Sequence, residues 1–294
     1  MSALLRIERT SPLHSLQDYG RVGYSRFGLC QAGALDRFSM DWANRLLGNP
    51  AGQAVLELSG GGFVAVFSAR QSFAVTGAYA PMTLNERSLL PWRSYTAEAG
   101  ERLLIRGPSA GNHVYLSVAG GFVAPATLGS VATSLRDGLG GVHGDGRALM
   151  AGDVLVLAAQ VVPDQAVPRS GLPNYRLPLS LRVHPSYQAD EVDWSGVLSA
   201  PYRVSKNTSR MGVRLAEGPV IRAPAMEFSE PIALGAVQVP PDGQPIVLMN
   251  DRQSLGGYPK IGCVWVDDLY QLAQRRPGDW VSFVRESATT PRSF

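Results

Sequence analysis

Short apolar runs cut by glycine and proline set the rhythm of this chain. Leu4, Leu5 and Ile7 make residues 1–10 a strand, and residues 54–58, 63–67, 71–76, 81–84, 103–105 and 114–119 repeat the form: apolar side chains of strand length, ended by turn formers. Residues 154–162 read as one longer strand. Two stretches change to a helical period. Over 37–47, Phe38, Trp42 and Leu46 recur every four residues, Ala43 and Leu47 widen the stripe, Asp36 supplies an N-cap, and Gly48 with Pro50 ends it. Over 267–275, Leu269, Leu272 and Ala273 share a face before Pro277 and Gly278 stop the helix. Residues 163–178 hold four prolines and almost no periodicity, which marks a linker. Strands resume at 179–184, 202–207, 246–249, 261–266 and 281–284, and the polar tail after Arg285 is expected to fray. The pattern predicts mainly β structure in two domains, 1–165 with one helix near 37–47, and 178–294. Glu57, set between Leu56 and Leu58, points opposite to both in a strand, so a solvated or ion-paired face is expected there.

Composition narrows the class. With 45% hydrophobic residues a chain of this length can bury a substantial core, and 32 glycines with 21 prolines fit many strands joined by turns. The net charge of +3 comes from scattered arginines with no basic run or aromatic interleaving, which argues against nucleic acid as a partner. Cys30 and Cys263 fit neither a disulfide framework nor a zinc spacing, so they read as free thiols in a reducing compartment, with Cys30 a small core hydrophobe. The four histidines are equally scattered, and no metal site is expected. No leader pattern opens the chain and no apolar run approaches a membrane span, so a soluble, cytoplasmic protein is expected. Gly138, Gly140, Gly141, Gly144 and Gly146 match neither a P-loop nor a dinucleotide fingerprint, so this chain alone is expected to bind no nucleotide or other cofactor.

Chemistry concentrates in residues 238–263. Pro240, Pro241, Asp242 and Gly243 form a turn, Ile246 to Met249 an apolar strand, and then Asn250, Asp251, Arg252, Gln253 and Ser254 crowd its end before Gly256 and Gly257. Lys260 is one of only two lysines, the other being Lys206, in a chain that otherwise uses arginine; its compact, titratable ammonium suits a site. Two readings stand: Asp251 and Arg252 neutralise each other at a tight connection, or the loop between two core strands carries a site. Residues 15–36 offer a similar choice. Gly20, Gly23, Gly28 and Gly33 supply turns, or the loop is a binding surface edged by Arg21 and Arg26. Asn207 and Arg210 either hold a turn or face the Lys260 loop.

Six segments in order carry a resemblance: Gln17-Asp18 to Asp36, the 36–50 helix with its Asn49-Pro50 end, 115–121 (YLSVAGG), 128–153, 208–215 (TSRMGVRL), and above all 250–262 (NDRQSLGGYPKIG). Together they resemble the family of the 5-oxoprolinase C subunit, also called the KipI antagonist or allophanate hydrolase subunit 2 family, which is similar to the second half of the urea carboxylase carboxyltransferase domain. The resemblance implies tandem β-barrel-like, cyclophilin-like domains working with two other proteins, an A subunit plus a homologous, KipI-like B subunit. It implies ATP-dependent hydrolysis of 5-oxoproline to glutamate, with ATP used by the complex and this chain inactive alone. The relatives leave two alternatives, carboxyl transfer from carboxybiotin to urea, and a regulator binding a KipI-like kinase inhibitor. The chain has no ATP-grasp domain and no biotinyl-lysine context, which favours the oxoprolinase. On this footing Lys260 polarises a lactam carbonyl, Asp251 orients it, Gln253 bonds the amide, and Arg210 or Arg21 holds the substrate carboxylate. Arg252, Asn207, Tyr258 and Gln17 complete the expected substrate-binding set. The partner protein is expected where residues 238–263 and 17–36 converge, with Arg21 and Tyr24 at the rim. Tyr19, Cys30-Gln31, Val131-Ala132 and Val213 depart from the family pattern; the second of these departures leaves Cys30 without a family role.

Overall fold

The computed structural model describes residues 3–286, so residues 1 and 2 of the expected opening strand and all of the tail beyond Glu286 lie outside them. The chain divides into two units. One takes the residues up to Gly23 and then Gln31–Arg176; the other takes Tyr24–Cys30 and the residues from Leu177 onward.

The first unit contains two antiparallel sheets. Across the larger, the order is Phe122–Val123, Val154–Leu157, Ala3–Arg9, Phe63–Phe67, Arg102–Ile105, Met82–Leu84 and Arg87–Leu89; across the smaller it is His14–Gln17, Val55–Ser59, Ala110–Val118, Gln71–Tyr79 and Arg93–Ala97. Alternation decides which side is dry: Ala3, Leu5 and Ile7 are buried while Arg6 and Glu8 face water. Apolar residues of both sheets, among them Leu5, Phe63, Phe67, Phe73, Leu103 and Leu116, form one core, and Phe67 stacks on Phe73 at 5.2 Å. The strand expected over 154–162 ends at Leu157, after alternating exposed and buried positions. Asp36 caps the Arg37–Arg45 helix by accepting from Ser39 N at 3.0 Å, a contact that stabilises a helix by about 1 kcal/mol. The buried face is Ser39, Met40, Ala43 and Asn44, rotated from the expected stripe, and Phe38 remains exposed.

Glu57 overturns its expected solvated setting. It is buried, and Oε2 accepts from Leu35 N and from Tyr115 Oη, each at 2.8 Å. Burial, followed by the charge of Glu57, pushes the Tyr115 hydroxyl well above its ordinary pKa, so it stays a proton donor.

The second unit is a closed seven-stranded barrel. Its order is Leu179–Pro185, Lys260–Val264, Ala236–Gln238, Ile246–Leu248, Gly212–Ala216, Tyr202–Val204 and Trp280–Arg285, sealed by the parallel pairing of the first with the last. Closure leaves no open edge in this sheet. Leu181, Val183, Leu215, Val237, Val247 and Ile261 are fully buried. The strand expected over 261–266 ends at Val264, and Val266 opens a helix, Val266–Ala273, that buries Leu269 and Leu272. Asp268 fixes that helix to the first barrel strand, accepting from Arg182 N, Nε and Nη2 at 2.7–2.9 Å. The helix Trp194–Leu198, capped by Asp193, and the three-residue strand Ala236–Gln238 are too short for periodicity to reveal. A two-stranded ribbon, Glu230–Pro231 against Leu255–Gly256, completes the unit. The described residues contain no helix long and apolar enough to cross a membrane.

Candidate functional site

The polar loop after Ile246–Leu248 is pinned from both sides. Met249 N and Asp251 N donate to Met211 O and Arg210 O, each at 2.9 Å, which continues the barrel pairing into the loop. The Asp251 carboxylate takes a two-pronged bond from Arg210, Nε to Oδ2 at 2.9 Å and Nη2 to Oδ1 at 3.1 Å. This fork locks the 205–212 turn to the 249–253 turn. Arg210 thus faces the loop as expected, but against Asp251. Arg252 does not pair with Asp251 as a simple neighbour neutralisation required; Nε donates to Ile232 O at 3.2 Å and Nη1 to Met249 O at 3.4 Å. Burial holds the Arg252 guanidinium below its ordinary pKa, while Cys30 and Cys263 act in the opposite sense. Gln253 is half-buried on the same turn, Tyr258 is exposed further along, and Asn207 is exposed on a turn where its N–H donates to Ser205 Oγ.

Lys260 opens its strand and is held by both main-chain groups. Its N–H donates to Gln188 Oε1 at 2.9 Å, and its carbonyl accepts from Ser186 Oγ. The side chain, only 10% exposed, ends in an ion pair with Glu230, Nζ to Oε2 at 2.6 Å. The Tyr187 hydroxyl donates to the other oxygen, Oε1, at 2.5 Å. The Lys260 and Tyr187 hydrogen bonds hold the Glu230 carboxyl below the usual range, and the bond to Glu230 in turn raises the Tyr187 hydroxyl. The carboxylate on Lys260 is therefore that of Glu230, and the contact expected from Asp251 gives way to the Arg210 fork. Sequence reasoning misses Glu230, Tyr187 and Gln188. A signal exists only for Glu230, an acidic residue beside Pro231 in a chain poor in such charges, but no spacing rule links position 230 to position 260.

Gln17 and Arg21 belong to the first unit, where both are framework. Gln17 is fully buried; Nε2 donates to Ser15 Oγ and Thr133 O, and Oε1 accepts from Gly33 N. Arg21 is 1% exposed, and its guanidinium donates to Thr127 O, Ala132 O and Ser130 O at 2.7–3.4 Å. A guanidinium spent on carbonyls inside the 127–132 loop is not at a rim, which corrects the placement expected for Arg21 and removes the geometry for holding a substrate carboxylate. Of the 17–36 loop, only Tyr24–Cys30 groups with the unit that carries Lys260. No group of three or more His, Cys, Asp or Glu among the described residues is placed to hold a metal ion. A barrel-mouth ammonium paired to an accessible carboxylate can donate to an incoming oxygen once that carboxylate moves aside.

Comparison with known proteins agrees with this architecture. The chain is 37% identical to the C subunit of Haemophilus influenzae 5-oxoprolinase over 92% of its own length and 87% of the relative's. It superposes on the crystal structure of TTHA0988 with a TM-score of 0.86 and 37% identity, over 96% of this chain and 56% of that one. On the urea amidolyase of K. lactis the TM-score is 0.88 at 27% identity, with 97% of this chain covered but only 19% of the longer enzyme. The model of the carboxyltransferase domain, subdomains A and B, matches residues 27–285, and the chain belongs to that family.

Proposed function

We propose that the chain is the C subunit of an ATP-dependent 5-oxoprolinase, acting with an A subunit plus a KipI-like B subunit to open 5-oxoproline to glutamate. The observation that carries this reading is the 37% identity to a 5-oxoprolinase C subunit over nearly the whole of both chains. Lactam opening builds negative charge on the carbonyl oxygen, and a fixed ammonium beside that oxygen stabilises it. In this reading Lys260 supplies the ammonium, and the substrate oxygen takes the place of Glu230 Oε2. Tyr187 retains the displaced carboxylate. Asp251 and Arg210 keep the loop in register and do not touch the substrate, while Gln253 and Tyr258 border it. ATP is handled by the partner subunits, since this chain carries no recognisable nucleotide-binding loop.

Carboxyl transfer from carboxybiotin to urea is the second reading, favoured by the superposition on the K. lactis urea amidolyase. A ureido carbonyl makes the same demand on Lys260. Reconstitution separates the two. The chain alone is expected to release no glutamate from 5-oxoproline, and the chain with its partner subunits is expected to do so in proportion to ATP hydrolysed. ATPase activity from the isolated chain, or an assembly that carboxylates urea and leaves 5-oxoproline intact, would refute the proposal.

A further inference from the structure

Gln238 ends the Ala236–Gln238 strand and pairs with Lys260 across a register shift between Val237 and Gln238, which sets the two residues side by side at that end of the antiparallel pair. The residue is 1% exposed, and its Nε2 is buried with no hydrogen-bond partner among the described residues. Such a donor weakens the fold unless something else uses it. What lies over it is Gly256: a Cβ there would sit 2.7 Å from Gln238 Nε2 and 2.5 Å from Ile232 Cδ1. Gly256 is paired with Glu230 in the small ribbon, and Glu230 is the residue whose carboxylate occupies Lys260 Nζ. One ribbon therefore covers two neighbouring donors, a carboxylate on the ammonium and bare glycine backbone over the amide.

We propose that Gln238 is the second donor of the Lys260 site, its Nε2–H taking the carbonyl oxygen of an amide, lactam or ureido ligand when the ribbon lifts and Glu230 leaves Lys260. A carbonyl oxygen accepts two hydrogen bonds, and two convergent donors stabilise the developing charge better than one. The ribbon accounts for the closed state: with Glu230 seated the ammonium is neutralised, and with Gly256 in place the amide is shielded from water. A methionine at 238 has similar reach and leaves no donor unmet.

This inference rests on Lys260 being the carbonyl-polarising group. The test is Gln238→Met in the fully reconstituted complex, with 5-oxoproline as the probe. Removing the unmet donor should raise Tm by about 2–4 °C, while kcat falls roughly 10²-fold with KM changed only a few-fold. A higher Tm with turnover intact would make Gln238 a packing defect and end the proposal. A lower Tm would mean that the amide already has a partner in solution, and the proposal would end there too. A wild-type complex inert towards 5-oxoproline refutes the oxoprolinase reading itself, and the role of Gln238 falls with it, whereas an active wild type with an equally active variant refutes the role of Gln238 alone.

Discussion

Lys260 illustrates what a residue list can and cannot say. Its scarcity as a residue type singles it out, but its partner, Glu230, lies thirty positions away on a two-residue strand that no periodicity reports. Gln238 falls inside the segment that the sequence marks and still carries no signal there, because an unmet donor exists only after folding. Arg21 shows the opposite error. Arginine among glycines resembles an anion site, and here the same donors are satisfied by backbone carbonyls. On the proposed reading, Lys260→Ala in the assembled complex should lower kcat about 10²–10³-fold. The fold should lose little, because the carboxylate half of the ion pair is open to water and solvent screens it, so Tm should change by no more than about 4 °C. Steady-state glutamate release and a thermal melt of the same preparation check both halves; near-normal turnover would return Lys260 to a purely structural pairing.

Among elements, those with repeated alternation are legible in kind and less so at their ends. The Phe63–Phe67 strand is legible to the residue, whereas the strand ending at Val264 reads too long, since Trp265 and Val266 are as apolar as a strand and only the next turn reveals a helix. The polar loops are legible as loops, but not in their wiring: the sequence offers Asp251 to Lys260, and the fold gives it to Arg210. That fork should behave as a mechanical tie between two turns. Asp251→Asn and Arg210→Met are each expected to cost about 2 kcal/mol, and the double variant clearly less than the sum, because the second substitution removes a partner already lost. Urea unfolding of the four proteins gives the coupling. Strict additivity would mean that the bond does not hold the turns.

For the whole molecule, pH is the most direct probe of how completely the core excludes water. His14 is buried with Nδ1 accepting from Ser11 N at 3.2 Å and Nε2 donating to Ser59 O at 3.2 Å, a neutral tautomer. Burial lowers its pKa from 6.5 to about 4, only partly opposed by backbone hydrogen bonds at Ser59 and Gly61. The unfolded chain thus takes up a proton more readily than the folded one. Stability from this group is complete above about pH 6.5 and is lost as pH falls towards 4, a change of about 3 kcal/mol. His14→Gln should flatten the pH dependence of the urea midpoint over that range; an unchanged slope would place the acid sensitivity elsewhere.

The division of the chain at Gly23 and Gln31 bears on how this protein can be cut. A gene split in the proline-rich 163–178 stretch looks like the obvious way to separate the units, yet the amino-terminal piece would carry away Tyr24–Cys30, which groups with the other unit. The carboxy-terminal piece would then lack a stretch of its own fold, with the buried Cys30 at its end. The two pieces therefore do not coincide with the two units, and a rearrangement meant to separate the units has to carry residues 24–30 along with the residues from Leu177 onward.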